Sequence, residues 1–169
     1  GHQPTPMVLA GKALADITRF IKGDRYRSRL ISKIMFGAYN KRIKNVRTSN
    51  DWLTRDETVV DEYNAGKLTT FLFTVNGYRG LMNMILYVRK PRNIANIPKN
   101  LPMLMVSGLD DPVGEYGKGV YRAYNTYHGH IDDIDLRLFE DCRHELCNEL
   151  NKEEIYEEIY GWIVDHMNK

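Results

Sequence analysis

The chain has 169 residues and carries 24 lysines and arginines against 22 acidic residues, for a formal charge of +2. So balanced a surface offers nucleic acid no field, and no apolar run approaches the ~18 residues needed to span a bilayer, so the expectation is a soluble, cytoplasmic chain with no transmembrane segment. With 43% hydrophobic and 27% charged residues it holds enough apolar mass for a packed core; only residues 12–55 lean clearly basic.

In chain order, Leu9, Ala13, Leu14, Ile17, Phe20 and Ile21 fall at three- and four-residue steps within residues 6–36, which predicts an amphipathic helix, and a second follows over 30–39. Gly23 and Gly37 stand where such helices stop. Thr54, with Glu57 three residues later, has the spacing of a capping box and predicts a helix running to about residue 63. Residues 71–78 are β-rich in composition, but Leu81, Met82, Ile85 and Leu86 return to a helical step, so most of 71–89 is read as helix. Residues 91–102 contain Pro91, Pro98 and Pro102 and form a connector, the best place for a boundary between a unit of residues 1–98 and one of residues 99–169.

Beyond the connector the pattern changes. A buried strand at 102–107, a helix at about 115–128, a strand at 134–139 and a last helix opened by Asn151 make a βαβα unit, so the fold class is α/β with a parallel sheet. The last helix is expected to bury Ile155, Ile159, Trp162 and Ile163. Two parallel strands by themselves leave at least one apolar edge open, so pairing with a partner or with a second copy is expected.

Cys142 and Cys147 bracket His144 but lack the fourth ligand and paired spacing of structural zinc, so no metal site is read here and both thiols are read as free. Asp111 before Pro112 reads, on local pattern alone, as a turn residue, and His128 and His130 as loop residues. The apolar side chains of Trp52, Phe71, Phe73 and Met82 suit either helix packing or a surface that covers an acyl chain.

Two segments carry a resemblance. Gly108-Leu-Asp-Asp-Pro-Val-Gly114 after an apolar strand, then Arg143-His-Glu145 after the next strand, are similar to the acid and histidine motifs of the α/β-hydrolase fold, in its lysophospholipase and monoacylglycerol-lipase-like branch, a serine aminopeptidase-type group. Asp51-Trp-Leu-Thr-Arg-Asp-Glu57, Val60-Asp-Glu-Tyr63, the Phe71, Phe73 and Thr74 run, Arg25-Tyr-Arg-Ser28 and Phe36-Gly-Ala-Tyr-Asn-Lys41 resemble the helical lid of those proteins. The resemblance departs at Ala65-Gly-Lys-Leu-Thr-Thr70, where relatives place an acidic residue, Pro, x, Cys and Gly.

The resemblance implies that Asp111, with Asp110 the near alternative, is the triad acid and His144 the base. It implies that the lid residues Trp52, Phe71, Phe73 and Met82 face a lipid ester such as a lysophospholipid or monoacylglycerol, and that no cofactor is needed. The nucleophile motif Gly-x-Ser-x-Gly is not in the sequence: none of Ser28, Ser32, Ser49 and Ser107 has glycines two residues away on both sides. The expectation is the C-terminal part of a longer serine hydrolase, inactive alone and completed by an N-terminal part. The competing expectation is a non-catalytic lipid-binding module derived from the same fold.

Overall fold

The structure, a computed structural model, describes residues 2–167. The first half is helical, and its helices begin where side chains or proline can satisfy or remove the free amides of a first turn. α1 (Thr5–Lys22) carries a proline in its first turn and stops at Gly23, whose φ of 86° lies in the left-handed region. α2 (Arg29–Phe36) starts at Ser28, whose hydroxyl accepts from the Ile31 amide. A 3-10 turn, Tyr39–Arg42, leads through a loop to α3 (Glu57–Ala65). The cap of α3 is Asp56, which accepts from the amides of Thr58 and Val59. Thr54, the cap expected from sequence, is instead buried, and its hydroxyl donates to the Asn148 carbonyl at 2.7 Å.

α4 (Val75–Val88) is capped by the Thr74 hydroxyl and packs along α1. Close approach is possible because α1 presents small residues there: a Cβ on Gly11 would stand 2.9 Å from the Met82 methyl. Ala15, Ile31, Val75 and Tyr78 form the core of this half, with Leu14, Met35 and Phe36 packed around it. Burying Ile31 and Val75 contributes roughly 1.5–3 kcal/mol each. The apolar stripe read from the sequence of α1 points the other way: Leu9, Ile17, Phe20 and Ile21 are exposed, and Val8 and Ala15 are the buried residues.

After α5 (Pro91–Ile94) comes the α/β part. β1 (Met103–Gly108) and β2 (Ile134–Phe139) pair in parallel from Met103↔Ile134 to Gly108↔Phe139, joined by α6 (Lys118–His128). A 3-10 turn, Leu146–Asn148, then leads into α7 (Lys152–Met167). Ile155 of α7 is fully buried with Cys142 and Leu146, and Ile159 packs beside them. Trp162 anchors α7 to the sheet by donating Nε1–H to Asp135 at 2.8 Å, whereas Ile163, expected inside, is 42% exposed.

Candidate active site

The site forms where the C-terminal ends of both strands meet the loop at 51–55. Gly108 ends β1, and there the chain turns so that Asp111 is 6% exposed. Its Oδ1 accepts from the Val113 amide at 2.7 Å, a turn bond of the kind Asp favours, and its Oδ2 accepts from His144 Nδ1 at 3.1 Å. A carboxylate only accepts, so Nδ1 carries the proton and Nε2 is left as the basic nitrogen. Nε2 has no hydrogen-bond partner among the described residues, and the His144 side chain is 37% exposed. Asp110 is exposed, and its amide donates to the Cys142 carbonyl at 2.9 Å, so its place is in the turn.

The acid turn is tightly packed. A Cβ on Gly114 would lie 3.1 Å from Ser107 Oγ and 3.2 Å from Asp111 Oδ2. Next to it Glu115 and Tyr116, neither a glycine, both take left-handed backbone, with φ of 53° and 55°. Such residues cost on the order of 1–3 kcal/mol each and persist where the surroundings impose them. Here the Tyr116 amide donates to the Asp111 carbonyl at 2.8 Å, and the Arg42 guanidinium lies 3.6 Å above the Tyr116 ring.

The histidine loop is fixed from two sides. On the strand side, Gly108 faces the backbone of Cys142 and Arg143 so closely that a Cβ would sit 2.0 Å from one carbonyl oxygen and 2.3 Å from the other. On the helical side, the Glu145 amide donates to the Leu53 carbonyl at 2.7 Å. Arg143 Nη1 donates to the carbonyls of Asp51 and Thr54 at 2.6 and 2.9 Å. These bonds bring the Trp52 ring to 5.2 Å from the imidazole, centre to centre. Tyr39 packs edge-on against Trp52, and burial followed by the nearby charge of Asp111 pushes its phenol above the ordinary range.

Trp52 also lines an open cleft of about 730 Å³, walled by Phe36, Leu68, Phe71, Phe73 and Tyr78. Phe71 and Phe73 meet edge-on at 5.1 Å, and Phe73 meets Tyr78 at 5.6 Å. The structure therefore gathers Trp52, Phe71 and Phe73 around one space but not Met82, which is buried against α1.

The other candidate groups have structural employment. Ser28 caps α2, and Ser107 Oγ donates to the Gly108 carbonyl. Cys142 is a buried free thiol and Cys147 an exposed one. His130 bonds the Ile97 carbonyl, and His128 lies against Tyr124. Asp133, Asp135 and His166 bring ligand-type atoms within 4.8 Å of one another, but His166 pairs with Asp133 and Asp135 takes Trp162, so these contacts tie α7 to β2. Arg143 and Arg55 stand inside the motifs that carry the resemblance but had no role read for them, and Glu149 was not singled out from sequence, because a charged side chain looks solvated by composition.

Residues 4–151 match the family described as "Serine aminopeptidase, S33". The chain belongs to this family. The S33 chain also superposes on solved structures of the α/β-hydrolase fold at low identity. A highly thermostable carboxyl esterase from Bacillus coagulans, in complex with glycerol, aligns with a TM-score of 0.81 and 20% identity, over 96% of this chain and 52% of that one. A lipase in an open form aligns at 0.74 and 20% identity, over 98% and 51%. A soluble variant of monoglyceride lipase from Saccharomyces cerevisiae, in complex with a substrate analog, aligns at 0.59 and 18% identity, over 89% and 51%. The S33 chain thus spans about half the length of each of these structures. No curated protein matches it.

Proposed function

We propose that this chain supplies the acid, Asp111, and the general base, His144, of a serine hydrolase acting on lipid esters such as lysophospholipids or monoacylglycerols, with the nucleophile carried outside these 169 residues. The observation that carries the reading is the His144 Nδ1–H bond to the buried Asp111 carboxylate, beside a cleft whose wall includes Trp52. Esterase, lipase and monoglyceride lipase among the structural neighbours support an ester as substrate.

In this reading Nε2 of His144 takes the proton of a serine hydroxyl as it attacks the ester carbonyl, then returns it to the leaving alcohol. Asp111 holds the imidazole in the tautomer that frees Nε2 and stabilises its cation. Residues 1–98 serve as the lid and residues 99–169 as the C-terminal part of a cytoplasmic enzyme's core. Trp52, Phe71 and Phe73 line the acyl path, while Met82 supports it from the α1–α4 contact.

Three measurements on the purified chain test the proposal. It should neither hydrolyse p-nitrophenyl esters nor label with a fluorophosphonate probe; saturable fatty-acid binding in calorimetry is what the competing lipid-binding module predicts instead, and Trp52→Ala should weaken any such binding through the cleft. Covalent labelling of any of its serines contradicts the assignment of the nucleophile, and fatty-acid binding indifferent to Trp52→Ala contradicts that of the cleft.

A further inference from the structure

Glu149 is 1% exposed, yet it belongs to neither member of the acid–base pair. Its oxygens take donors from both sides of the junction between the helical half and the histidine loop. Oε1 accepts from the Arg143 amide at 2.7 Å, and Oε2 from Arg55 Nε at 2.9 Å. The Arg55 amide at 3.3 to 3.4 Å and the Leu150 amide at 3.4 Å add weaker bonds. A buried carboxylate persists only when paired and hydrogen-bonded, and this one meets both conditions with groups that have few alternatives.

The position of these donors is what matters. Arg143 is the residue immediately before His144, so the direction of the imidazole follows from where the Arg143 amide is pinned. Arg55 closes the loop that carries Trp52, and its Nη2 donates to Asn151 at the start of α7. The Leu146–Asn148 turn carries the chain round so that Glu149 returns beneath Arg143, six residues back. One carboxylate therefore ties the Trp52 loop, the histidine loop and the approach to α7 at a single point.

We propose that Glu149 is a positioning residue that sets His144 against Asp111, by holding the Arg143 amide and the Arg55 guanidinium together. The inference rests on the acid–base reading above and adds the device that aligns it. A glutamine is nearly isosteric with Glu149 but puts an N–H₂ group, which only donates, where one of the oxygens meets N–H donors. It leaves either Arg143 N–H or Arg55 Nε–H unmatched in a buried place. The loop then loses its fixed register, and the imidazole its constant partner.

The test is nitrogen-15 NMR of the histidine rings in the full 169-residue chain, comparing the native sequence with Glu149→Gln, Arg55→Gln and Asp111→Asn. The native chain should show a His144 Nδ1–H resonance that disappears in Asp111→Asn. In a folded Glu149→Gln chain that resonance should be lost to a mixture of ring tautomers, a change that loosened packing elsewhere would not single out. Should Glu149→Gln fail to fold, Arg55→Gln, which leaves the Arg143 amide bond in place, should weaken the same resonance. A folded variant with an unaltered His144 resonance overturns the role of Glu149 while leaving the pair intact. A native chain with no Asp111-dependent resonance overturns the acid–base reading, and this inference with it.

Discussion

At the scale of single residues, Gly108 does two jobs: it ends β1, and it lets the histidine loop lie against the strand. Since a side chain there would overlap two carbonyl oxygens, Gly108→Ala should displace the loop and cost about 1–3 kcal/mol, the usual cost of overpacking. Urea denaturation measures it, and an unchanged midpoint would show that the loop is not held there. Cys142 makes a second, pH-dependent prediction. Burial, and then the charge of Glu149, push its thiol above the ordinary range. The folded state therefore keeps a proton that the unfolded thiol gives up first as pH rises. The resulting stability is complete below the unfolded thiol's value and is lost as pH climbs through the raised one. The urea midpoint should fall more steeply on the alkaline side for the native chain than for Cys142→Ala, and equal slopes would remove Cys142 from the account. The motif made both Asp110 and Asp111 legible as candidates, but choosing between them needed the turn bond to Val113 that aims one carboxylate at the imidazole.

At the scale of elements, the sequence was clearest where composition and punctuation agree. β2 spans the residues expected of it because Ile134, Leu136 and Leu138 alternate with Asp135 and Arg137 between acidic turn residues, and β1 is bounded by Pro102 and Gly108. It was less clear where two residues compete for one role. Thr54 and Asp56 both have cap chemistry near the start of α3, and the long-range bond from Thr54 to Asn148, which decides between them, has no local signature. Asp56→Ala should therefore lower stability by about 1 kcal/mol through the helix terminus, a loss that chemical denaturation can measure. No change there would return the cap to Thr54. In α1 the period was legible but its direction was not. Periodicity says which residues share a face, while the small residues Gly11 and Ala15 decide which face meets α4.

At the scale of the whole molecule, β1 pairs with β2 alone among the described residues, and Val106 on it is 37% exposed. Strands of parallel sheets are ordinarily covered on both faces and paired on both edges, so this edge favours association. Light scattering at micromolar concentration should give a mass above 19.7 kDa; a monomer of that mass with a cooperative melt would show that the edge is tolerated. At the site, Asp111 rather than Asp110 is proposed to hold His144 as a base, on the Nδ1 bond to its Oδ2. That assignment is tested most directly by the His144 imidazole resonances of Asp111→Asn and Asp110→Asn side by side. The Nδ1–H signal should vanish in the first and be unchanged in the second. Survival of the signal in Asp111→Asn would contradict it.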